Sequence, residues 1–368
     1  TPTIEFRSGG NPITNAVNIA GTPNTDTFKF SYTIHADDTE GDITFKISNY
    51  IDRNSNVGVD VTTLTSGSTI TVDKVVPTLN SVTYSTSNAS ALQSKVGDTI
   101  TLDITASETI NAPTVDFKTN GVTHTTQTMS GSGNSYTSSF VTSDSHADGD
   151  ITFTISDISD QANNEGVNVN TVTSGNTLIF DKTAPTFSNL SLTSSNSVNT
   201  ISKDTDVVTL VMTSSEDLTA PPTVLFKSGT TDLTTVTATQ PDVSDDTQFS
   251  ASFTVSNTHV DGEIAYVISN FTDVAGNAGT TYTENSSGVF IDNTSPTITS
   301  VAVDGNNTQI ELTLSEEVYS NSNGSGALGA TDVYLVLTGG TATLSSYYPT
   351  AITPIGDDLS RYTLTIDT

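Results

Sequence analysis

Carboxylates recur along this chain at three kinds of position, and their types and spacing are the first features that could do chemistry. Asp73, Asp181 and Asp292 each stand a few residues before a Pro-Thr pair. Glu108, Glu216 and Glu316 each follow a serine, 35, 35 and 24 residues beyond those aspartates. A third pattern places an Asp, an Asn four residues on and a Gly two further: Asp52/Asn56/Gly58, Asp160/Asn164/Gly166 and Asp273/Asn277/Gly279. Carboxylate and amide oxygens are hard ligands, and Ca2+ takes about six to eight of them in flexible geometry. If the three kinds of position converge, one set is Asp73, Glu108, Asp160 and Asn164, and the next is Asp181, Glu216, Asp273 and Asn277. No Lys or Arg recurs with them as a counter-ion, so a bound Ca2+ would relieve their repulsion. The competing reading is plain turn chemistry: Asp and Asn bond to the local backbone and the Gly takes a positive φ. The pattern is not an EF-hand, because the Gly falls at the seventh position and the bidentate Glu is missing.

Convergence needs elements to produce it, and internal repeats supply them. Thr3-Ile-Glu-Phe-Arg, Thr114-Val-Asp-Phe-Lys and Thr223-Val-Leu-Phe-Lys share one pattern at offsets of 111 and 109. His35, His146 and His259 each open a turn that leads into an alternating segment beginning at Ile43, Ile151 or Ile264. Apolar residues at every second position give a strand with one face on a core and the other in water. Each complete unit reads as about seven strands separated by turn residues, which predicts an all-β fold of tandem immunoglobulin-like β-sandwich domains in an extended array. In such a sandwich the B–C and F–G turns share the pole at which the preceding domain arrives. The Ser-Glu pair opens the B–C turn, the Asp–Asn–Gly stretch forms the F–G turn, and the junction Asp lies on the incoming connection.

The repeats divide the chain into the back part of a unit (1–73), two complete units (74–182 and 183–293) and the front part of a variant unit (294–368). Strands are expected around Tyr334–Thr338 and Tyr362–Ile366 in the last. The chain thus begins and stops in mid-domain, and its incomplete ends could complement one another between copies by strand donation. The connections are short and carry Pro77, Pro185 and Pro296, which predicts a semi-rigid rod rather than beads on a tether.

Composition narrows the classes. With 41 acidic and 11 basic residues the formal charge is -30, which excludes nucleic acid as a simple partner. There is no cysteine, so no disulfide frame and no thiol chemistry. No apolar run approaches the ~20 residues of a membrane span, and direct membrane insertion is not expected. Four histidines, three of them at one turn position on different domains, cannot assemble a single active site. No cleft-forming acid pair or phosphate-binding loop stands out, and no enzyme activity is expected.

Asp181-Lys-Thr-Ala-Pro-Thr, Ser215-Glu216 and Asp273-Val-Ala-Gly-Asn277 resemble the tandem bacterial Ig-like repeats of very large prokaryotic surface proteins: adhesins, surface-layer proteins and stalks. The resemblance covers residues 1–320 well and the remainder loosely. It implies an extracellular, cell-surface location and a structural role as a semi-rigid spacer or part of a surface assembly or filament. It also implies calcium at the domain junctions, carried onto Asp73, Asp160, Asp181 and Asp273 with Glu108 and Glu216 beside them. The partners expected are neighbouring copies or further repeats of the same protein. The alternative is a ligand-binding adhesin or carbohydrate-binding module whose partners are surface glycans. For that role Tyr347, Tyr348 and the Gly-rich stretch of the last segment are the place to look.

Overall fold

The computed structural model describes residues 1–14, 18–20, 27–241, 245–339 and 343–367. The chain divides into two compact units, Thr1–Lys182 and Thr183–Thr368.

In the first unit, residues 79–180 form two facing sheets. One runs in the order Ser130–Ser132, Ser135–Val141, Thr99–Ala106, Leu79–Thr86. The other runs Val122–Thr128, Thr114–Thr119, Gly149–Ser156, Leu178–Phe180, Gln93–Ser94, with the last pair parallel. Alternation in the sequence decides which way each strand faces. Ile100, Leu102, Ile104 and Ala106 point inward from one sheet, and Val115, Phe117, Ile151, Phe153 and Ile155 from the other. The register Val115↔Ile155 and Phe117↔Phe153 stacks like positions across the pair. A slip by one residue would turn every one of these side chains to solvent, at about 1.5–3 kcal/mol for each large one. The strand order, with A–B–E on one sheet and C′–C–F–G on the other, is that of an immunoglobulin-like sandwich. Nine strands are present rather than seven, the additions being the short Gln93–Ser94 and Ser130–Ser132. Asn120-Gly121 makes the C–C′ hairpin, with φ of 47° and 77° at its two residues, as a tight primed turn requires.

The second unit repeats this plan. Phe187–Ser194, Val207–Ser214 and Gln248–Thr254 make one sheet. Thr231–Thr237, Thr223–Ser228, Gly262–Ser269, Phe290–Ile291 and Ile201–Ser202 make the other, with Tyr282–Glu284 also paired to Gly262–Ser269. Val208, Leu210, Met212, Phe226, Phe249 and Ile268 are buried between them.

Before the sandwiches lie a four-stranded sheet and a two-stranded ladder of Asn18–Ala20 with Lys29–Ser31, and after them a four-stranded sheet. Asn11–Pro12, Thr3–Ser8, Gly41–Ser48 and Ile70–Val72 make the first four-stranded sheet. Its Ile43, Phe45 and Ile47 are half-buried, where the matching Ile151, Phe153 and Ile155 are fully buried. The last sheet runs Ile298–Val303, Gln309–Leu314, Asp358–Thr365, Ala351–Ile355, with Leu312, Tyr362 and Leu364 in its core. Asp358–Thr365 covers most of the strand expected around Tyr362–Ile366. The strand expected at Tyr334–Thr338 is absent: those residues carry no ladder. They follow a 3-10 turn, Ala330–Asp332, and Val333 and Leu335 pack on the core while Tyr334 and Val336 are exposed. The alternation there comes from an irregular segment lying along the core edge.

Candidate metal centre

The first acidic set lies wholly within the first unit. Ile70–Val72 pairs with Gly41–Ile43 and carries the chain straight into Asp73. Beyond Pro77 the chain is fastened by a reciprocal pair of bonds: Thr78 N–H donates to Ser107 Oγ at 3.0 Å, and Ser107 N–H to the Thr78 carbonyl at 2.8 Å. The same staple joins Thr186 to Ser215 and Thr297 to Ser315. The serine of each Ser-Glu pair therefore anchors the incoming chain, and this sets the following glutamate beside it.

Asp160 sits in the loop after Gly149–Ser156 and is 1% exposed. Its Oδ1 accepts from the Ala162 and Asn164 amides, both at 2.8 Å, and its Oδ2 from Asn164 Nδ2 at 2.7 Å. Asn164 Nδ2 also donates to the Asp73 carbonyl at 3.1 Å. One asparagine thus ties the loop carboxylate to the incoming chain. The result is a group in which one oxygen each of Asp73, Glu108 and Asp160 lies within 4.8 Å of the others.

The electrostatics follow from this crowding. Burial, then the charges of Asp73, Asp160 and Glu40, push the Glu108 carboxyl above its ordinary value. Burial also pushes Asp160 up, but hydrogen bonds from the Asn164 side chain and the loop amides outweigh it, and its carboxyl lies below the usual range. Glu40 is a contributor that the repeat pattern did not single out; the signal was its place directly before Gly41, where Asp261 stands before Gly262 in a later copy. Lys74, next to Asp73, donates from Nζ to the Ala36 carbonyl at 2.7 Å and to the Asp38 carbonyl. It thereby serves the preceding His turn.

The second set falls on both units: Asp181 closes the first, and Glu216, Asp273 and Asn277 belong to the second. Within the second unit Asp273 is 1% exposed and repeats the Asp160 turn, with Oδ1 accepting from Asn277 N–H and Oδ2 from Asn277 Nδ2, each at 2.8 Å. Asp52 makes the same turn with Asn54 and Asn56 but is exposed. Later in the second unit, burial and the charges of Asp292 and Asp261 push Glu316 up. Its Oε1 is buried without a hydrogen-bond partner. The shorter 24-residue spacing therefore still brings Glu316 under the field of Asp292.

The glycines of the Asp–Asn–Gly pattern correct the turn reading. Gly58, Gly166 and Gly279 do not have positive φ; Ser55, Asn163 and Gly276 do. These three glycines are needed for close approach. A Cβ on Gly166 would stand 2.5 Å from the Pro77 carbonyl oxygen, and one on Gly279 would enter the Phe271 ring. Gly166 thus lets the acidic loop lie against the incoming chain.

No family model matches this sequence, and no curated protein matches it. Among solved structures, the tandem immunoglobulin domains of titin align at 14% identity and a TM-score of 0.22, over 60% of this chain and 98% of that one. The fibronectin(III)-like modules of Clostridium thermocellum CbhA align at 14% identity and a TM-score of 0.22, over 59% and 93%. The fold assignment rests on the strand order above. Among the described residues no helix is long and apolar enough to cross a membrane.

Proposed function

We propose that this chain is a structural, extracellular repeat region, a semi-rigid spacer or part of a cell-surface assembly, stiffened by Ca2+ where one repeat leads into the next. Residues 74–182 and 183–293 would be its complete repeats, and its partners further repeats or copies of the same protein. The observation that carries the reading is the Asp73–Glu108–Asp160 group. It draws on the exit of one sheet and on two separate turns of the sandwich that follows, so a cation there would cross-link the connection. The staples at Thr78–Ser107, Thr186–Ser215 and Thr297–Ser315 support the same arrangement with hydrogen bonds alone. Isothermal titration of the whole chain with CaCl2 tests it: saturable binding weakened by Glu108→Gln supports the reading, and no heat of binding at millimolar Ca2+ refutes it.

A second reading, a ligand-binding module for glycans, has one observation in its favour. Tyr334 and Tyr347 stack at 5.3 Å, Tyr348 meets Tyr334 edge-on at 5.6 Å, and all three are exposed. Exposed aromatic faces suit sugar rings through their apolar surface. A glycan array probed with the whole chain, and with Tyr347→Ala, distinguishes the two.

A further inference from the structure

Two of the four histidines lie face to face inside the 79–180 sandwich, and the acidic sites make no use of them. The His124 and His146 rings stack with centroids 3.9 Å apart. His146 is buried, with Phe140 and Phe180 on its other sides. Its Nδ1 accepts the Ser143 N–H at 3.2 Å, which requires that nitrogen to be unprotonated. His124 Nε2 pairs with the buried Thr119 hydroxyl. The charged side chain that acts on His146 is Lys182, from the segment after Leu178–Phe180, and Asp144 and Asp148 of the turn hold that lysine. Lys182 Nζ donates to the Asp144 carbonyl at 2.6 Å, and Asp148 Oδ1 accepts the Lys182 N–H at 2.8 Å. The His146 turn therefore grips the segment by which the chain leaves this repeat.

We propose that the stacked His124–His146 pair is an acid-sensitive latch that loosens this repeat, and its hold on Lys182, as pH falls below about 6.5. A proton on His146 would break the Ser143 bond and place a cation against the His124 ring beside Lys182. Burial, His124 and Lys182 all hold the His146 imidazole below its ordinary value. A histidine depressed in the fold takes its proton in the unfolded chain first, so stability is lost as pH falls through the unfolded value. One proton withheld altogether would raise the unfolding constant about tenfold per pH unit below 6.5, so roughly 30-fold is the ceiling at pH 5. The second sandwich is an internal control. His259 makes the same turn with Ser256, but the position matching His124 is Leu233.

Hydrogen exchange of the whole chain, corrected for intrinsic rates, tests this at pH 7.5 and pH 5.0. Protection over 114–156 is expected to fall more than over 223–269, by up to roughly 30-fold, and His124→Leu should shrink the gap. Equal losses in both stretches, or a gap unchanged in His124→Leu, would overturn the proposal. Should that variant misfold, an NMR titration of His146 in the parent chain decides: protonation at or above pH 6.5 would overturn it, and protonation clearly below would support it.

Discussion

Replacing Asp160 with alanine, in EDTA so that no cation is involved, isolates what the acidic loop does as a turn. The side chain is 1% exposed and accepts three hydrogen bonds, from the Ala162 and Asn164 amides and from Asn164 Nδ2. A hydrogen bond to a charged acceptor contributes about 1.5–3 kcal/mol, and the donors left behind are only partly rehydrated. Three such bonds bound the loss at about 4.5–9 kcal/mol on simple addition, but they share one carboxylate and are not additive, so about 3 kcal/mol is the expected net. That corresponds to a roughly 150-fold rise in the opening constant of the repeat. Hydrogen exchange over strand Gly149–Ser156 reads it directly in the whole chain, where several domains make a single unfolding free energy ill-defined. The matching strand Gly262–Ser269 should be unaffected. A loss under about 0.5 kcal/mol would refute the argument, because it would mean that the loop is held by its surroundings and not by its carboxylate.

Three further outcomes follow from the same geometry. Glu108 has a raised carboxyl, so its ionisation destabilises the cation-free fold. The stabilisation of Glu108→Gln over the parent in EDTA should therefore be present at pH 7 and vanish as pH falls toward 4.5, read by thermal melts; a difference that grows on acidification would contradict the assignment. Gly166→Ala must displace the Pro77 carbonyl, so it should cost about 1–3 kcal/mol by exchange over 149–156 and weaken any Ca2+ response, whereas the same change at exposed Gly305, where φ is not positive and a Cβ meets nothing, should leave that response intact. Tyr136→Phe leaves the buried Ile110 carbonyl without the 2.7 Å bond it accepts, at about 1–2 kcal/mol in the same assay.

Most of the sandwich was legible because alternation is a direct record of burial: Ile151, Phe153 and Ile155 announce an inward face, and the structure buries all three. The convergence of Asp73, Glu108 and Asp160 was legible for a different reason. Strand order fixes which turns share a pole, and the repeats marked which residues occupy those turns. Less visible were the roles of residues that act through backbone groups. Ser107 as a staple and Gly166 as a point of close approach depend on where a neighbouring main chain passes, which no local pattern encodes. Glu40 was hidden because it lies in the preceding repeat. Tyr334–Thr338 misled because residues along a core edge alternate as a strand does without hydrogen bonding as one.

A cation at the repeat connections should show itself in calorimetric melting of the whole chain in EDTA, in Mg2+ and in Ca2+. Extracellular oxygen sites bind Ca2+ with dissociation constants of about 10⁻⁴–10⁻³ M. At ~10 mM Ca2+ the stabilisation is then about 1.4–2.7 kcal/mol, which for a domain of ~100 residues raises Tm by roughly 5–15 °C. A Ca2+ site at the connections gives that rise with Ca2+, little with Mg2+, and its loss from the 74–182 transition in Asp73→Ala. An unchanged Tm at 10 mM Ca2+ would contradict it and leave the acidic loops as hydrogen-bonded turns alone.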